Sequence, residues 1–311
     1  MKFSIILNPA AGRGAAGRRR QALESLLRAA GLDYTLVTTH ARGGATELTY
    51  QALQQGATCV VAVGGDGTIN EVVNGLLGGR QQGLGAATLG IVPLGTGSDF
   101  AKVLPGAKVG DLASAVQGFV KGATRPVDLG VVRFKAGNQQ SSRAFINGLG
   151  AGLDALVAVE VAKLRWLTGL PAYIAASLRA LAIYRPATMR VAYAGHELHE
   201  PLLFATVGNG RYQGGGFQMT PTGKIDDGLL DLCAVKQLPL SQIVRYYPKL
   251  IVGSHIKLPV VTTAQIRKLT MSSTQPFPVA TDGEVVATDA THVQVEVLAG
   301  AVELVGYTNY P

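Results

Sequence analysis

The chain has 311 residues, of which 47% are hydrophobic and 15% are charged, and its formal net charge is +8. These values exclude a disordered, collagen-like or disulfide-scaffold protein and supply enough apolar material for folded cores. Because single hydrophobic cores stop growing near about 250–300 residues, the length predicts two domains.

The first third of the chain alternates short apolar runs with segments of helical periodicity. This alternation predicts βαβ units and a parallel sheet. Residues 58–63 and 89–92 are apolar without alternation, as expected of strands that are covered on both faces. We therefore predict a doubly wound α/β domain over residues 1–126. Its strands are expected at 3–7, 34–37, 58–63 and 89–92, and its first helices at 18–30 and 46–54.

A glycine-containing loop follows the first apolar run and reads Asn8-Pro9-Ala10-Ala11-Gly12-Arg13-Gly14. Glycines at such a position let backbone N–H groups approach a phosphate at the start of a helix. The loop lacks both the Gly-Lys-Ser/Thr ending of a P-loop and the spacing of a dinucleotide fingerprint. A tight structural turn is therefore an equal alternative.

A second loop, Val63-Gly64-Gly65-Asp66-Gly67-Thr68-Ile69-Asn70-Glu71, follows a predicted buried strand and opens a helix. A carboxylate among glycines at the carboxyl end of a strand lies where open α/β sheets bind ligands. The alternative is an Asp-Gly turn in which Asp66 or Thr68 caps the helix. Capping explains one polar residue but not the glycines before it or the Asn-Glu pair after it, so we interpret this loop as a binding loop.

A third loop at residues 93–101, Pro-Leu-Gly-Thr-Gly-Ser-Asp-Phe-Ala, repeats this design after the next predicted strand. Both loops carry a carboxylate and a threonine. We expect them to converge on one polyphosphate and its Mg²⁺.

From about residue 127 the pattern changes to β-rich segments at short spacing. We predict an antiparallel β-sandwich over residues 127–311, interrupted by one helical insert at 156–184; a return of the last residues to the first domain is an open alternative. Residues 293–297 and 301–305 are expected to form a late hairpin across Leu298-Ala299-Gly300. Further strands are expected at 127–134, 143–147, 189–193, 202–207 and 229–235.

Several features bear on the cellular setting. The N-terminal apolar run is shorter than a secretory signal and meets Asn8-Pro9. The weakly charged stretch 167–184 is interrupted by Pro171 and Arg179 and falls short of the ~20 apolar residues of a spanning helix. Cys59 and Cys233 lie in apolar runs, where a thiol behaves as a small hydrophobe. We therefore predict a cytoplasmic protein with no transmembrane segment.

The loops together resemble the catalytic family of diacylglycerol kinases, which includes bacterial diacylglycerol kinases and sphingosine kinases. The resemblance rests on Asn-Pro-x-x-Gly at 8–12, Gly-Gly-Asp-Gly-Thr at 64–68 and the third loop at 93–101. One departure is Ser98, where the family usually has asparagine; serine keeps a donor and an acceptor but has a shorter reach. Later matches extend the resemblance over nearly the whole chain, at 147–154, 208–210, 219–221, 227–231 and 282–284.

The resemblance implies an ATP-dependent lipid kinase that transfers the γ-phosphoryl group to a lipid hydroxyl, with Mg²⁺ as cofactor. Phosphoryl transfer needs charge neutralisation and in-line placement more than covalent help from the protein. Asp66 and Asp99 are the implied carboxylates that orient Mg²⁺. Thr39, just after the strand predicted at 34–37, matches another nucleotide-contacting position of the family. From the residues alone, a threonine at the end of a strand explains it equally well. The implied nucleotide-binding residues are Asn8, Thr39, Gly64, Gly65, Asp66, Gly67, Thr68, Ile69, Asn70 and Thr96.

Two further positions follow from the resemblance. Glu284, in Asp282-Gly283-Glu284, resembles the general base that accepts the proton of the lipid hydroxyl, with Asp66 as a rival for that role. Asp227, with the carbonyl groups of Lys224 and Leu229, matches a second Mg²⁺ position, and hard oxygen ligands suit this ion. At both positions a plain Asp-Gly turn is the alternative.

Other functions remain open from the sequence. NAD kinases share the Gly-Gly-Asp-Gly-Thr loop, and a lipid- or nucleotide-binding regulator without activity could share the fold. The charge of +8 favours anionic partners, but without interleaved aromatic residues we expect no nucleic acid. We expect the substrate to be diacylglycerol or a related lipid. The protein is expected to contact this lipid at a membrane surface as a peripheral protein. A homodimer is compatible with the sequence.

One segment combines apolar, aromatic and basic residues as interfacial helices do. We expect it to help dock the protein on anionic membranes, although a cover for the sandwich core is the favoured alternative. Its residues are Lys163, Leu164, Arg165, Trp166, Leu167, Leu170, Tyr173, Ile174 and Arg179.

Overall fold

A computed structural model describes residues 1–137, 139–164, 167 and 169–307. The chain divides into two compact units. The first unit comprises Met1–Val127 and Gly300–Pro311, and the second comprises Asp128–Ala299.

The first unit is built on a parallel sheet. Four strands form it, in the spatial order β4, β3, β1, β2. Their bounds are β1 Lys2–Leu7, β2 Asp33–Thr38, β3 Cys59–Gly64 and β4 Thr88–Pro93. Because the strands are parallel, their carboxyl ends share one edge, and the loops that follow them lie along that edge.

Five helices accompany these strands: α1 Ala11–Arg18, α2 Arg20–Ala29, α3 Gly44–Gln54, α4 Asp66–Gln81 and α5 Leu112–Lys121. Alternate residues of β1 and β3 pack with α2 and α5, for example Ile5 with Leu27 and Phe119 in one core. The intervening residues Ile6 and Val60 are fully buried as well. Helices α3 and α4 pack against each other and against β1 and β3. The strands are therefore covered on both faces.

The second unit is dominated by antiparallel strands that pair in the order β11, β10, β9, β7, β12, β13, with β8 beside β9 and β12 and with β6 beside β5. One large core joins alternate residues of these strands. The strands are β5 Thr124–Ala136, β6 Gln139–Phe145, β7 Gly148–Gly152, β8 Thr188–Tyr193, β9 His196–Gly208, β10 Leu230–Lys236, β11 Val261–Ile266, β12 Lys268–Thr281 and β13 Glu284–Val305.

Helices of the second unit differ in part from the prediction. The helical insert consists of α6 Leu153–Lys163 and α7 Gly169–Ile183. A further helix, α8 Leu240–Ile251, was not predicted. It contains Pro248, which removes one helical hydrogen bond and is normally a sign against helix. A second apolar cluster joins α6, α7 and α8 to β9 and β10.

The predicted late hairpin across Leu298-Ala299-Gly300 is wrong. β13 runs without a turn from Glu284 to Val305, and only a positive φ of 56° at Gly300 interrupts its regular backbone. Its two halves have different partners, since residues up to Glu296 pair with β12 whereas Leu304 pairs in parallel with Leu89 of β4. The sequence of two apolar runs separated by a glycine does not show whether the runs pair with each other or with other strands. The hairpin was predicted for this reason.

Within the residues that the structure describes, no helix is both long and apolar enough to cross a membrane.

Candidate functional site

The second and third loops of the first unit touch backbone to backbone. The N–H of Leu94 donates to the carbonyl oxygen of Gly64 at 2.8 Å. A Cβ atom on Gly95 would lie 2.4 Å from the Cα atom of Gly65, a distance that real Cβ atoms essentially never show. The glycines are therefore required by the contact between the two loops.

The first loop joins the other two. Asn8 Nδ2 donates to Thr68 Oγ1 at 3.1 Å, and Asn8 Oδ1 accepts from the N–H of Ala10 at 3.1 Å. Gly12 has a φ of 58°, and a Cβ there would lie 2.3 Å from the carbonyl oxygen of Leu94. The tight turn that the sequence left as an alternative is thus present, and the same turn lies against the two binding loops.

Asp66 is the first residue of α4, and its carboxylate holds the third loop. Oδ2 accepts from the N–H of Asp99 at 3.0 Å, and Oδ1 accepts from the N–H of Phe100 at 3.1 Å. A carboxylate that accepts two backbone N–H groups forms strong, charge-assisted bonds. The sequence suggested a metal-orienting, proton-accepting or helix-capping role for Asp66, and its bonds to the third loop were missed because no pattern in the chain pairs residue 66 with residues 99 and 100.

The rest of the third loop is held closely as well. Asp99 is buried, and its Oδ1 accepts from Lys102 Nζ at 2.6 Å. Ser98 is fully buried with a φ of 45°, and its hydroxyl donates to the carbonyl of Gly95 at 3.2 Å. Asparagine adopts positive φ more readily than other side chains, so serine here costs about 1 kcal/mol in backbone strain. Ser98 thus fills the asparagine position by bonding within its own loop.

The other predicted nucleotide-binding residues fall into different environments. Thr39 is buried just after β2, and its N–H donates to the carbonyl of Leu7. Ile69 and Asn70 are fully buried in α4, so their side chains belong to the packing of that helix. Thr96 is exposed in the third loop. Gly67 lies in the first turn of α4.

Glu71, the last residue of the second loop's motif, supports the fold. Its carboxylate accepts from the N–H groups of Gly43 at 2.8 Å and Ala45 at 2.9 Å, at the start of α3. Thr46 Oγ1 donates to the carbonyl of Glu71 at 2.9 Å. A negative charge at a helix N-terminus is favourable and satisfies N–H groups that have no helical partner. Glu71 therefore caps a neighbouring helix.

In the second unit, Asp282 and Gly283 form the two-residue turn between β12 and β13. Both have positive φ, 48° and 82°, and Thr281 pairs with Glu284 across the turn. Positive φ at both central positions is the type I′ geometry that Asp-Gly favours. The turn places Glu284 at the first position of β13, where Arg143 Nη2 lies 2.9 Å from Glu284 Oε2.

Asp282 anchors this turn to the connection between β6 and β7. Its carboxylate accepts from the N–H groups of Ile146 at 3.0 Å and of Asn147 and Gly148 at 2.9 Å each. The N–H of Asp282 donates to the carbonyl of Gly148 at 2.8 Å. The plain-turn alternative therefore holds for Asp282 and Gly283, and the role of Glu284 as a general base stays a prediction.

The proposed second metal position has one acidic neighbour that the sequence did not single out. Asp227 Oδ1 accepts from the N–H of Leu229 at 3.1 Å. Asp231 is buried, and among the described residues its Oδ2 has no hydrogen-bond donor. Burial raises the pKa of Asp231, and the carboxylate of Asp227 raises it further. In the described ranges, no three side chains of His, Cys, Asp or Glu are grouped so as to hold a metal.

Asp154 is a buried carboxylate at the start of α6. It accepts from Thr206 Oγ1 at 2.5 Å and from the N–H of Ala155 at 2.8 Å. Burial raises its pKa from 3.8 to about 7, and these two hydrogen bonds oppose the rise. It lies at the edge of the apolar cluster of α6, α7 and α8, and no spacing rule identifies it from the sequence.

Comparison with known proteins identifies both parts of the chain. Residues 2–132 match the family model of the diacylglycerol kinase catalytic domain. Residues 147–306 match the model of the YegS C-terminal NAD kinase beta sandwich-like domain.

Relatives and a solved structure agree with these matches. A diacylglycerol kinase of Bacillus subtilis is 29% identical over 90% of this chain and 88% of its own length. A Klebsiella pneumoniae protein named "probable lipid kinase YegS-like" is 35% identical over 73% of this chain and 72% of its own length. A crystal structure of a Bacillus anthracis protein that was assigned as a diacylglycerol kinase superposes with a TM-score of 0.76 at 27% identity, covering 99% of this chain and 98% of that one. The chain therefore belongs to the diacylglycerol kinase catalytic-domain family and carries a YegS-type β-sandwich-like second domain.

Proposed function

We propose that this protein is an ATP-dependent lipid kinase that transfers the γ-phosphoryl group of ATP to a hydroxyl group of diacylglycerol or a related lipid. The observation that carries the proposal is the meeting of three strand-end loops at the start of α4, where the carboxylate of Asp66 holds the backbone of Asp99 and Phe100. The relatives named as diacylglycerol kinases and as a lipid kinase support a lipid as the acceptor.

The phosphates of ATP bind at the first turn of α4. The N-cap residue Gly65 provides no side-chain cap, and the N-terminus of a helix favours a bound anion. Gly64, Gly65 and Gly95 leave no side chain between the second and third loops and a phosphate. The full proposed set of nucleotide-binding residues is Asn8, Thr39, Gly64, Gly65, Asp66, Gly67, Thr68, Ile69, Asn70 and Thr96; Ile69 and Asn70 contribute backbone only, because their side chains are buried.

Mg²⁺ would be held near Asp66 and Asp99. When bound, Mg²⁺ supplies neutralisation of the charge on the transferred phosphoryl group. Both carboxylates already accept protein hydrogen bonds, so they fit an ion that keeps several of its waters and is held through them. A second Mg²⁺ would suit the carbonyl groups of Lys224 and Leu229 with Asp227, and the Asp231 Oδ2 atom without a donor fits a cation nearby.

Glu284 is the proposed general base, which removes the proton of the lipid hydroxyl as the phosphoryl group is transferred. Arg143 orients its carboxylate, and the Glu284 side chain keeps 23% of its surface exposed. The rival, Asp66, uses both oxygens to hold backbone N–H groups. This division favours Glu284 for proton transfer and Asp66 for the nucleotide.

The direct test is a product assay. Purified protein would be incubated with ATP and Mg²⁺ and with separate acceptors: diacylglycerol, phosphatidylglycerol, a sphingoid base and NAD. We expect one lipid to gain a phosphoryl group, identified by product mass. Phosphorylation of NAD with no lipid product would instead establish an NAD kinase, and nucleotide binding without turnover on any acceptor would indicate a regulator.

A further inference from the structure

Exposed apolar side chains are concentrated on two helices of the second unit. Of nine large apolar side chains that are exposed in the described part of the chain, six lie on or directly after α7 and α8. Soluble proteins rarely leave such residues together without a partner. The six are Ile174, Leu178, Ile183, Leu240, Val244 and Val252.

On α8, only half of the apolar face has a protein partner. Ile243, Tyr247 and Leu250 pack into the apolar cluster with α6 and α7. Leu240 and Val244 lie one turn apart on the adjoining side of the helix and are 62% and 58% exposed. The apolar stripe is therefore wider than the core that α8 covers. Pro248 and Val252 continue it at the same four-residue spacing.

On α7, the corresponding stripe lies beside the contact with α8. Ala176 and Ala180 are fully buried, whereas Ile174 and Leu178 lie one turn apart and are 36% and 61% exposed. Ser177 lies between these two sides, and its Oγ accepts from the hydroxyl group of Tyr247 on α8 at 3.1 Å. Around the axis of each helix, the side that faces the core is followed by the residue that contacts the other helix, and then by the exposed apolar stripe. The two stripes thus both lie next to the contact between Ser177 of α7 and Tyr247 of α8.

The charged residues that α7 and α8 themselves carry have one sign. The described sequences of α7 and α8 contain no acidic residue. Arg245 and Lys249 lie on the polar side of α8, next to its exposed stripe, and Arg185 follows α7. An apolar stripe bordered by cations is the composition of helices that lie in a membrane interface with anionic lipids.

The docking segment predicted from sequence is only partly retained. Arg165 and Trp166 lie outside the described residues. Leu164 is buried, and Tyr173 packs against the cluster with α6 and α8. Lys163 and Arg179 both pair with the buried Glu160. Leu164 and Tyr173 thus cover the core, whereas Lys163, Ile174 and Arg179 are exposed.

We propose that the α7–α8 surface, formed by Ile174, Leu178, Leu240, Val244 and Val252 with Arg245 and Lys249, docks the protein on an anionic lipid bilayer. The inference rests on the proposed function, because a lipid kinase must reach a substrate that resides in a membrane. The apolar side chains enter the boundary between headgroups and acyl chains, and the cations contact anionic headgroups. A second copy of the chain would cover the apolar stripe but would bring two like-charged borders together.

The test compares two matched double variants in vesicle co-sedimentation. Leu178→Ser/Val244→Ser removes apolar groups from the surface, and Val109→Ser/Val120→Ser removes two equally exposed ones from the first unit. On vesicles of phosphatidylglycerol and phosphatidylcholine, we expect the first variant to bind at least about tenfold more weakly, because two apolar side chains no longer enter the membrane interface. The second should bind within about twofold of the wild type by the same reasoning.

The basic residues beside the apolar stripe allow an independent test of the docking proposal. Arg245→Ala/Lys249→Ala should weaken binding to the anionic vesicles at low salt by at least about tenfold, because each cation near such a surface contributes about 1 kcal/mol. Binding at high salt should differ less, because the ions screen these contacts. Lys121→Ala on α5 is the control and should leave binding unchanged.

Activity separates the two proposals. Transfer of phosphate to a short-chain diacylglycerol dispersed in detergent should be the same in the wild type and all four variants. Vesicle binding that depends on α7 and α8 without any kinase activity would reject the proposed function and keep the surface. Undiminished vesicle binding by both α7–α8 variants, or a wild-type dimer that Leu178→Ser/Val244→Ser converts to a monomer in light scattering, would overturn the docking proposal.

Discussion

The second loop of the first unit and the β12–β13 turn of the second unit both use an aspartate to hold backbone N–H groups, but they divide the work differently. Asp66 accepts from two N–H groups in the third loop and is also the carboxylate proposed to act on the nucleotide and Mg²⁺. Asp282 accepts from three N–H groups, while Glu284, two residues later, pairs with Arg143 and is proposed to act on the substrate. In the first unit, the architectural role and the proposed chemical role fall on one residue; in the second, they fall on two residues of the same turn.

The largest effect is expected at Asp66, where the two roles cannot be separated. Asp66→Asn should lower kcat/KM by about 10³-fold or more, which corresponds to about 4 kcal/mol of transition-state stabilisation. It should also lower the free energy of unfolding by about 1–2 kcal/mol, because one oxygen that accepts a backbone N–H is replaced by a donor. Steady-state kinetics and urea denaturation measure the two effects.

Glu71→Gln is the matched control for Asp66→Asn, since it exchanges a carboxylate for an amide in the same helix. It should destabilise the protein by about 1 kcal/mol through the cap on α3 and leave kcat unchanged. Wild-type turnover in Asp66→Asn, or an equal loss of turnover in Glu71→Gln, would break the distinction between the two carboxylates.

At Glu284 we expect a loss of rate without a loss of fold. Glu284→Gln should reduce kcat by about 10²–10³-fold, because a general base contributes that much, while the affinity for ATP stays within a few-fold. Kinetics with saturating lipid, ATP titration and thermal melting check these points. Glu296→Gln, also on β13 and also paired with an arginine, Arg133, is the control and should behave as the wild type. Collapse of ATP binding with retained kcat would reverse the assignment.

Asp282 should show the opposite behaviour to Glu284. Asp282→Asn keeps the positive φ that the turn requires, because asparagine tolerates it, but the amide places a donor against one of three backbone N–H groups. We expect a loss of about 2–3 kcal/mol in the free energy of unfolding, with kcat within about threefold after correction for the folded fraction. Asp289→Asn, at an exposed position of β13, is the control. Unchanged stability would contradict the anchoring role.

The smallest effect concerns Asp154, whose pKa is raised from 3.8 to about 7 by burial. Below about pH 4 the carboxyl group is protonated in the folded and unfolded chain alike. Between about pH 4 and 7 only the unfolded chain releases the proton, so the free energy of unfolding falls as pH rises through this range.

Asp154→Asn removes this dependence, because the amide stays neutral. Its melting temperature relative to the wild type should therefore rise between pH 5 and pH 8. Burial raises the pKa of Tyr184 and of Cys233, and the nearby Asp154 carboxylate raises both further, so these two groups stay neutral in this range. A constant difference in melting temperature would show that Asp154 is ionised throughout.

The sequence was most informative where backbone geometry restricts residue choice. Gly64, Gly65 and Gly95 lie in the two glycine-rich loops expected after β3 and β4, where the close approach of the two backbones excludes other side chains. It was less informative where a contact joins residues far apart in the chain, as between Asp66 and residues 99 and 100 or between Glu71 and α3. No periodicity encodes these bonds.

Strand partners and apolar surfaces were the weakest part of the prediction. The continuous β13 was mistaken for a hairpin because an apolar run does not specify its partner. Helix α8 was missed because Pro248 is a helix breaker by propensity, whereas packing of Tyr247 and Leu250 on the core stabilises the helix. The width of the apolar stripe on α7 and α8 became clear only when the part covered by the core was known.

The central claim, that phosphate moves from ATP to a lipid hydroxyl, is tested most directly by following the γ-phosphoryl group in a single reaction. With γ-labelled ATP and the lipid acceptor that gives product, the account predicts one labelled phospholipid for each ADP formed, loss of both in Asp66→Asn, and loss of both in Glu284→Gln at unchanged ATP binding. Label recovered as inorganic phosphate or on NAD, with ADP formed at the same rate whether or not lipid is present, would contradict it.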